Sequence, residues 1–150
     1  DACFYILLDN FRFYNERYKA RTVAYVLMSN HIHFIVYFLE RNQLSNYLRD
    51  YKKYSAVALR EHLNQCRSDL VEQLRYEHRT QHYKVWQDKF DDVMLRSRKV
   101  CETKLEYIHN NPVRAGIVDD PVKYRYSSAT FYWNWHPGIR SELLHYADVF

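Results

Sequence analysis

Arg21-Thr22-Val23-Ala24-Tyr25-Val26-Leu27-Met28-Ser29-Asn30-His31-Ile32-His33-Phe34-Ile35-Val36-Tyr37-Phe38 decides how this chain begins to fold. Val23, Tyr25 and Leu27 alternate with Thr22, Ala24, Val26 and Met28, and apolar residues resume at Phe34, the two-residue period of strands. Ser29-Asn30 is the natural turn, because asparagine tolerates the left-handed backbone angles that a two-residue hairpin loop demands. An antiparallel hairpin over residues 21–38 is expected.

Outward from the hairpin the period changes. From Asn42 to about Asn64, the positions Leu44, Leu48, Tyr51, Ser55, Ala58 or Leu59, and Leu63 recur at helical spacing with no proline or glycine among them. That predicts a long amphipathic helix with Arg49, Lys52, Lys53 and Arg60 on its other positions. Ser68 can cap a second helical run through Leu70, Val71 and Leu74, while residues 75–84 carry no decisive pattern. A further helix is predicted from about Ser97 to Asn110, with Pro112 forbidding its continuation and Gly116 in the exit loop. Beyond Asp119 the chain is aromatic and irregular, with a turn expected at His136-Pro137-Gly138.

With 150 residues, no repeat and no linker, one domain spanning residues 1–150 is expected. A net charge of +4 favours a polyanionic partner without singling one out. Fifteen tyrosines serve a core as readily as they stack on bases. Cys3, Cys66 and Cys101 form no Cys-x-x-Cys pair, so no disulfide framework or zinc ribbon is indicated, and a reducing cytoplasm is expected. No apolar run approaches the roughly 18 residues of a membrane span, so no membrane partner is expected.

His31 and His33 are two apart on the second strand, so both imidazoles can face one cation, or both can be satisfied polar side chains. His78 and His82 have the four-residue spacing of zinc metalloproteases, but Arg79 stands where the general base would be, and a solvent-facing polar helix accounts for them. Tyr107 and Asn111 are four apart at the end of a helix, which puts a phenol and an amide on one face. Ser127-Ser128 lacks a Gly-x-Ser-x-Gly elbow, and the shortage of glycine also excludes a P-loop and a dinucleotide fingerprint.

Tyr25-Val26-Leu27-Met28-Ser29-Asn30-His31-Ile32-His33-Phe34, then Lys52-Lys53-Tyr54-Ser55, Val85-Trp86-Gln87, Tyr107-Ile108-His109-Asn110-Asn111-Pro112-Val113-Arg114-Ala115-Gly116 and Tyr126-Ser127-Ser128 together resemble the REP-associated tyrosine transposases of the single-tyrosine HUH superfamily. The resemblance runs from about Phe4 to Tyr132. It implies an α+β fold, a ferredoxin-like antiparallel sheet of four or five strands with helices packed on it. The family's first strand precedes a helix that Phe4 to Asn15 would represent, so that strand is expected to be absent from this chain, exposing an edge.

By the same resemblance, His31 and His33 are metal ligands, Tyr107 is the nucleophile, and Asn111 is the third ligand where related transposases often carry glutamine. Two imidazoles and an amide oxygen leave positions open for phosphate and water, which suits Mg2+ or Mn2+. The implied reaction is metal-dependent cleavage and rejoining of hairpin-containing single-stranded DNA through a 5′-phosphotyrosine. Arg49, Lys52, Lys53, Arg96, Arg98 and Lys99 are candidate phosphate contacts. A homodimer and a bacterial cytoplasmic setting also fit. Two rivals remain at this point, a nucleic-acid-binding protein of the same fold whose catalysis has lapsed, and a metal-dependent hydrolase of small phosphoesters.

Overall fold

The computed structural model describes residues 2–78, 81–88, 90–136 and 141–150, with the side chains at 68, 77, 78 and 81 not described. The turn expected at His136-Pro137-Gly138 falls, at 137 and 138, outside the described residues, as does Arg79. The fold is α+β, with small antiparallel sheets and helices. Among the described residues, no helix is long and apolar enough to cross a membrane. The chain forms two compact units, Asp1–Tyr18 with Asn42–Val93, and Lys19–Arg41 with Met94–Phe150.

In the first unit, helix α1 (Ala2–Arg17) packs on helix α2 (Leu44–Cys66) through aromatic rings. Phe11 stacks on Tyr51 at 4.5 Å between ring centroids, and Tyr14 meets Tyr47 and Tyr51 edge-on. The buried hydroxyls are satisfied, Tyr47 donating to Asn15 Oδ1 at 3.0 Å and Tyr51 to the Leu7 carbonyl at 3.4 Å. Burial pushes both phenols well above their ordinary pKa. Much of the tyrosine load is therefore core. Helix α2 begins at Leu44 and not at Asn42, because Asn42 takes a left-handed φ of 61° that no right-handed helix continues.

A short helix α3 (Ser68–Gln73) follows, with Arg67 and not Ser68 at the cap position. The stretch without a decisive pattern is a hairpin of β3 (Arg75–His78) and β4 (Gln81–Tyr83), closed by Lys84 N–H donating to Leu74 O at 2.8 Å. The helix expected to carry His78 and His82 is thus two strands, and His82 is exposed.

In the second unit, strand β1 (Ala20–Leu27) pairs antiparallel with β2 (Ile32–Phe38), in a register that sets Val26 opposite His33. The hairpin expected from residues 21–38 is present. Its loop closes through Met28 N–H donating to His31 O at 2.9 Å, and Asn30 is not among the residues with positive φ. The opposite edge of β1 is used as well. Leu27 N–H donates to Tyr126 O, Ser128 N–H to Tyr25 O, and Leu144 N–H to Thr22 O. Bonded along both edges, β1 is the buried centre of this unit, with Val23, Ala24, Val26 and Leu27 all nearly inaccessible.

Helix α4 (Arg98–His109) starts at the expected place, where Ser97 Oγ accepts the Val100 N–H. It ends at Asn110, and the chain restarts as the short helix α5 (Asn111–Arg114) with Pro112 in its first turn, where the missing N–H costs nothing. Gly116, at φ 69°, then terminates the helical course, with Gly116 N–H to Val113 O and Ile117 N–H to Pro112 O. A last short helix, α6 (Ala129–Trp133), follows Ser128.

Candidate active site

The second unit brings His31, His33 and Tyr107 together. The rings of His31, in the hairpin loop, and His33, on β2, lie 5.0 Å apart between centroids, and the ring of Tyr107, on α4, lies 5.7 Å from His33. Tyr107 is 43 % exposed. His33 is half-buried, and its pKa is lowered, first by that burial, then by His31 and by the Lys104 ammonium. A neutral imidazole with a free lone pair is the form that ligates a cation.

Asn30 has a role that its backbone angles do not reveal. Its Oδ1 lies 2.7 Å from His31 Nδ1, and a carbonyl oxygen there requires Nδ1 to carry the proton. In the neutral tautomer with that proton on Nδ1, the lone pair lies on Nε2, and a hydrogen bond from the other ring nitrogen is the usual second partner of a ligating histidine. Asn111 donates its Nδ2 to the carbonyls of Tyr107 at 2.8 Å and Ile108 at 3.3 Å. Its amide oxygen is thereby the atom left to coordinate. Among the described residues, no group of three or more His, Cys, Asp or Glu could hold a metal.

His109, two residues beyond Tyr107, is buried, and burial pushes its pKa down to about 4. Its Nε2 is 2.7 Å from Ser128 Oγ, which also accepts the backbone N–H of Tyr25 at 2.9 Å. The Tyr-Ser-Ser stretch is therefore a clasp between α4 and β1. Tyr124 adds to it, donating its hydroxyl to Leu27 O at 2.6 Å, and Ser127 Oγ donates to Tyr124 O at 3.1 Å.

The cations singled out from sequence divide. Arg49 is engaged by Asp50 and Asn46, Arg98 by Glu102 at 2.9 Å and the Tyr146 ring, and Lys52 by the Gln87 carbonyl. Lys53 lies over the Tyr54 ring at 5.0 Å, and Arg96 and Lys99 are exposed. Two cations that the sequence reading passed over lie against Tyr107 instead, Lys104 Nζ 5.9 Å and Arg114 Cζ 5.4 Å from its ring centroid. Arg114 lies inside the Asn-Pro-Val-Arg-Ala-Gly stretch, and Lys104 is one helical turn before the tyrosine, which are the signals that could have found them.

The family described as Transposase IS200 like matches residues 6–111. The chain belongs to that family. Transposases act on DNA, and this family is generally metal-dependent. The chain is also similar to a Haemophilus influenzae protein assigned by name as a REP-associated tyrosine transposase, with 26% identity over 128 residues that cover 85% of this chain. Those residues span 66% of the relative's length, less than two thirds. No solved structure matches the chain.

Proposed function

We propose that this chain is a REP-associated tyrosine transposase, which cleaves and rejoins hairpin-containing single-stranded DNA with Tyr107 as the nucleophile. What carries the reading is the 5.7 Å approach of the Tyr107 ring to His33, between a residue of α4 and a residue of β2 far apart in sequence. The similarity to the Haemophilus influenzae protein supports the REP-associated assignment. The match over residues 6–111 includes residues of both compact units, and the whole of 1–150 is proposed as one transposase domain.

His31 through Nε2, His33, and Asn111 through its amide oxygen would hold a Mg2+ or Mn2+ ion, which supplies charge neutralisation at the non-bridging oxygens of the phosphate. The donor set fits, since two imidazole nitrogens and an amide oxygen leave both charge and coordination for an anionic substrate. In the first step Tyr107 Oη attacks phosphorus, its proton passing to solvent or to an acceptor on the DNA. The bond from phosphorus to the 3′ oxygen breaks, and that oxygen leaves as a 3′-hydroxyl after taking a proton. The 5′-phosphate remains on the tyrosine. A 3′-hydroxyl of another strand reverses the step, so bond energy is retained without nucleotide hydrolysis.

Incubation with a single-stranded hairpin oligonucleotide and manganese should give a covalent protein–DNA adduct that Tyr107→Phe abolishes. Binding with no adduct from the unaltered protein would instead favour a non-catalytic DNA-binding protein of this fold.

A further inference from the structure

Tyr107 is flanked by two cations. Lys104 Nζ and Arg114 Cζ lie 5.9 and 5.4 Å from its ring centroid, and neither forms an ion pair among the described residues. Their neighbours behave otherwise, Arg98 being paired with Glu102 and Lys123 with Asp119. Arg114 arrives by a specific route. Seven residues of uninterrupted helix would carry its backbone about 10 Å along the axis from Tyr107. Here the helix stops at Asn110, restarts at Asn111 with Pro112, and is ended by Gly116 at φ 69°, and the guanidinium lies over the phenol.

Contact with an exposed ring accounts for little of this, since a cation over an aromatic face in water contributes only about 0.5–1 kcal/mol. The charge of the site asks for more. Beside the Tyr107 ring lie the His33 imidazole and two cations that form no ion pair among the described residues, so an anion brought to the phenol meets two positive charges not already neutralised by a paired carboxylate. A phosphodiester brings one negative charge and gains a second as the phenolate oxygen bonds to phosphorus. Lys and Arg clamps on a transferring phosphoryl group act on that gain.

We propose that Lys104 and Arg114 are phosphate-binding residues of the reaction at Tyr107, gripping the DNA phosphodiester under attack and neutralising the charge that grows on its non-bridging oxygens. This rests on Tyr107 being the nucleophile. The bond formed is Tyr107 Oη to phosphorus and the bond broken is phosphorus to the 3′ oxygen. The two cations exchange no proton and form no bond, and they leave the ring face for the phosphate oxygens.

The test uses the full chain and a single-stranded hairpin oligonucleotide. Lys104→Met and Arg114→Met keep much of the stem and remove the charge, and Lys104→Arg keeps the charge. Both sites are exposed, so the urea midpoint should stay close to that of the parent. The single-turnover rate of adduct formation with manganese at saturating DNA should fall about 10²-fold in each Met variant and recover substantially in Lys104→Arg. In a Tyr107→Phe background with chelator, DNA affinity should weaken, and the slope of log affinity against log salt should drop by about one for each cation removed. Lys123→Met, remote in role and paired with Asp119, should change neither. An adduct formed at the parental rate by both Met variants would overturn the proposal while leaving Tyr107 as nucleophile. No adduct from the unaltered protein would overturn both.

Discussion

Ser128→Ala should be the most costly single-atom deletion in the second unit. Its hydroxyl oxygen accepts the Tyr25 N–H at 2.9 Å and meets His109 Nε2 at 2.7 Å, with Ser128 2 % and His109 6 % exposed. Alanine removes the hydroxyl that both the Tyr25 N–H and the largely buried His109 imidazole meet. Each lost partner costs about 1–3 kcal/mol, so about 2–6 kcal/mol is expected, or roughly 4–24 °C in Tm for a chain of this size. Ser127→Ala is the control. That hydroxyl serves only the local turn, donating to Tyr124 O and accepting Ala129 N–H at 3.3 Å, and its loss should cost about 1 kcal/mol. Urea denaturation of Ser128→Ala, His109→Leu and the double variant isolates the pair, with a coupling of about 1 kcal/mol or more expected. Because His109 follows Tyr107 by two residues, the adduct rate should fall in Ser128→Ala at temperatures where the protein is still folded. Stability within about 0.5 kcal/mol of the parent, with no coupling to His109, would refute the clasp.

Three further substitutions test other parts of the molecule. Asp50 accepts from Tyr18 Oη at 2.5 Å and from Arg49 Nε at 2.9 Å, and those hydrogen bonds, Tyr18's first, hold its carboxyl below the usual range. A depressed folded pKa means stability that is present above the ordinary carboxylate pKa near 4 and is lost as pH falls through the folded value. Asp50→Asn should therefore cost about 1–2 kcal/mol at neutral pH by urea denaturation, with the gap closing in acid; a gap that widens on acidification contradicts the assignment. Manganese affinity by titration calorimetry should be lost in His33→Ala and weakened about 10-fold in Asn30→Ala, since Asn30 fixes the His31 tautomer. Unchanged affinity in Asn30→Ala would show that the tautomer is set elsewhere.

What could be read from the sequence was whatever depends on near neighbours. The hairpin of β1 and β2 follows from two-residue alternation, and α4 follows from Ser97 at its start and Pro112 beyond its end. The hairpin of β3 and β4 was not legible because Arg75 to Tyr83 is polar and charged, with no apolar alternation to betray a strand. The candidate phosphate contacts were chosen from abundant surface cations, and a cation's partner is a matter of three-dimensional neighbours. Arg49 and Arg98 proved to be engaged by Asp50 and Glu102, and only the second of these, at four-residue spacing on a helix, was open to prediction. Asn30 was read for its backbone tolerance, whereas its side chain is what acts.

The least legible feature is also the one that brings the candidate ligand and nucleophile together. His33 is bound into β2, which pairs with β1 at Val26; on its other edge β1 meets Ser127 through Val26 and Ser128 through Tyr25; Ser128 then reaches His109 on the helix of Tyr107. One strand thus relates two groups more than seventy residues apart in sequence, through backbone ladders on both of its edges and one serine hydroxyl. Ladder bonds tolerate changes of side chain, because their donors and acceptors belong to every residue except proline. The serine and histidine have no such latitude, since a buried hydroxyl bonded at once to an amide and an imidazole has few substitutes. The separation of His33 and Tyr107 should therefore be robust to most changes along β1 and β2 and sensitive at Ser128 and His109, which touch neither reacting group.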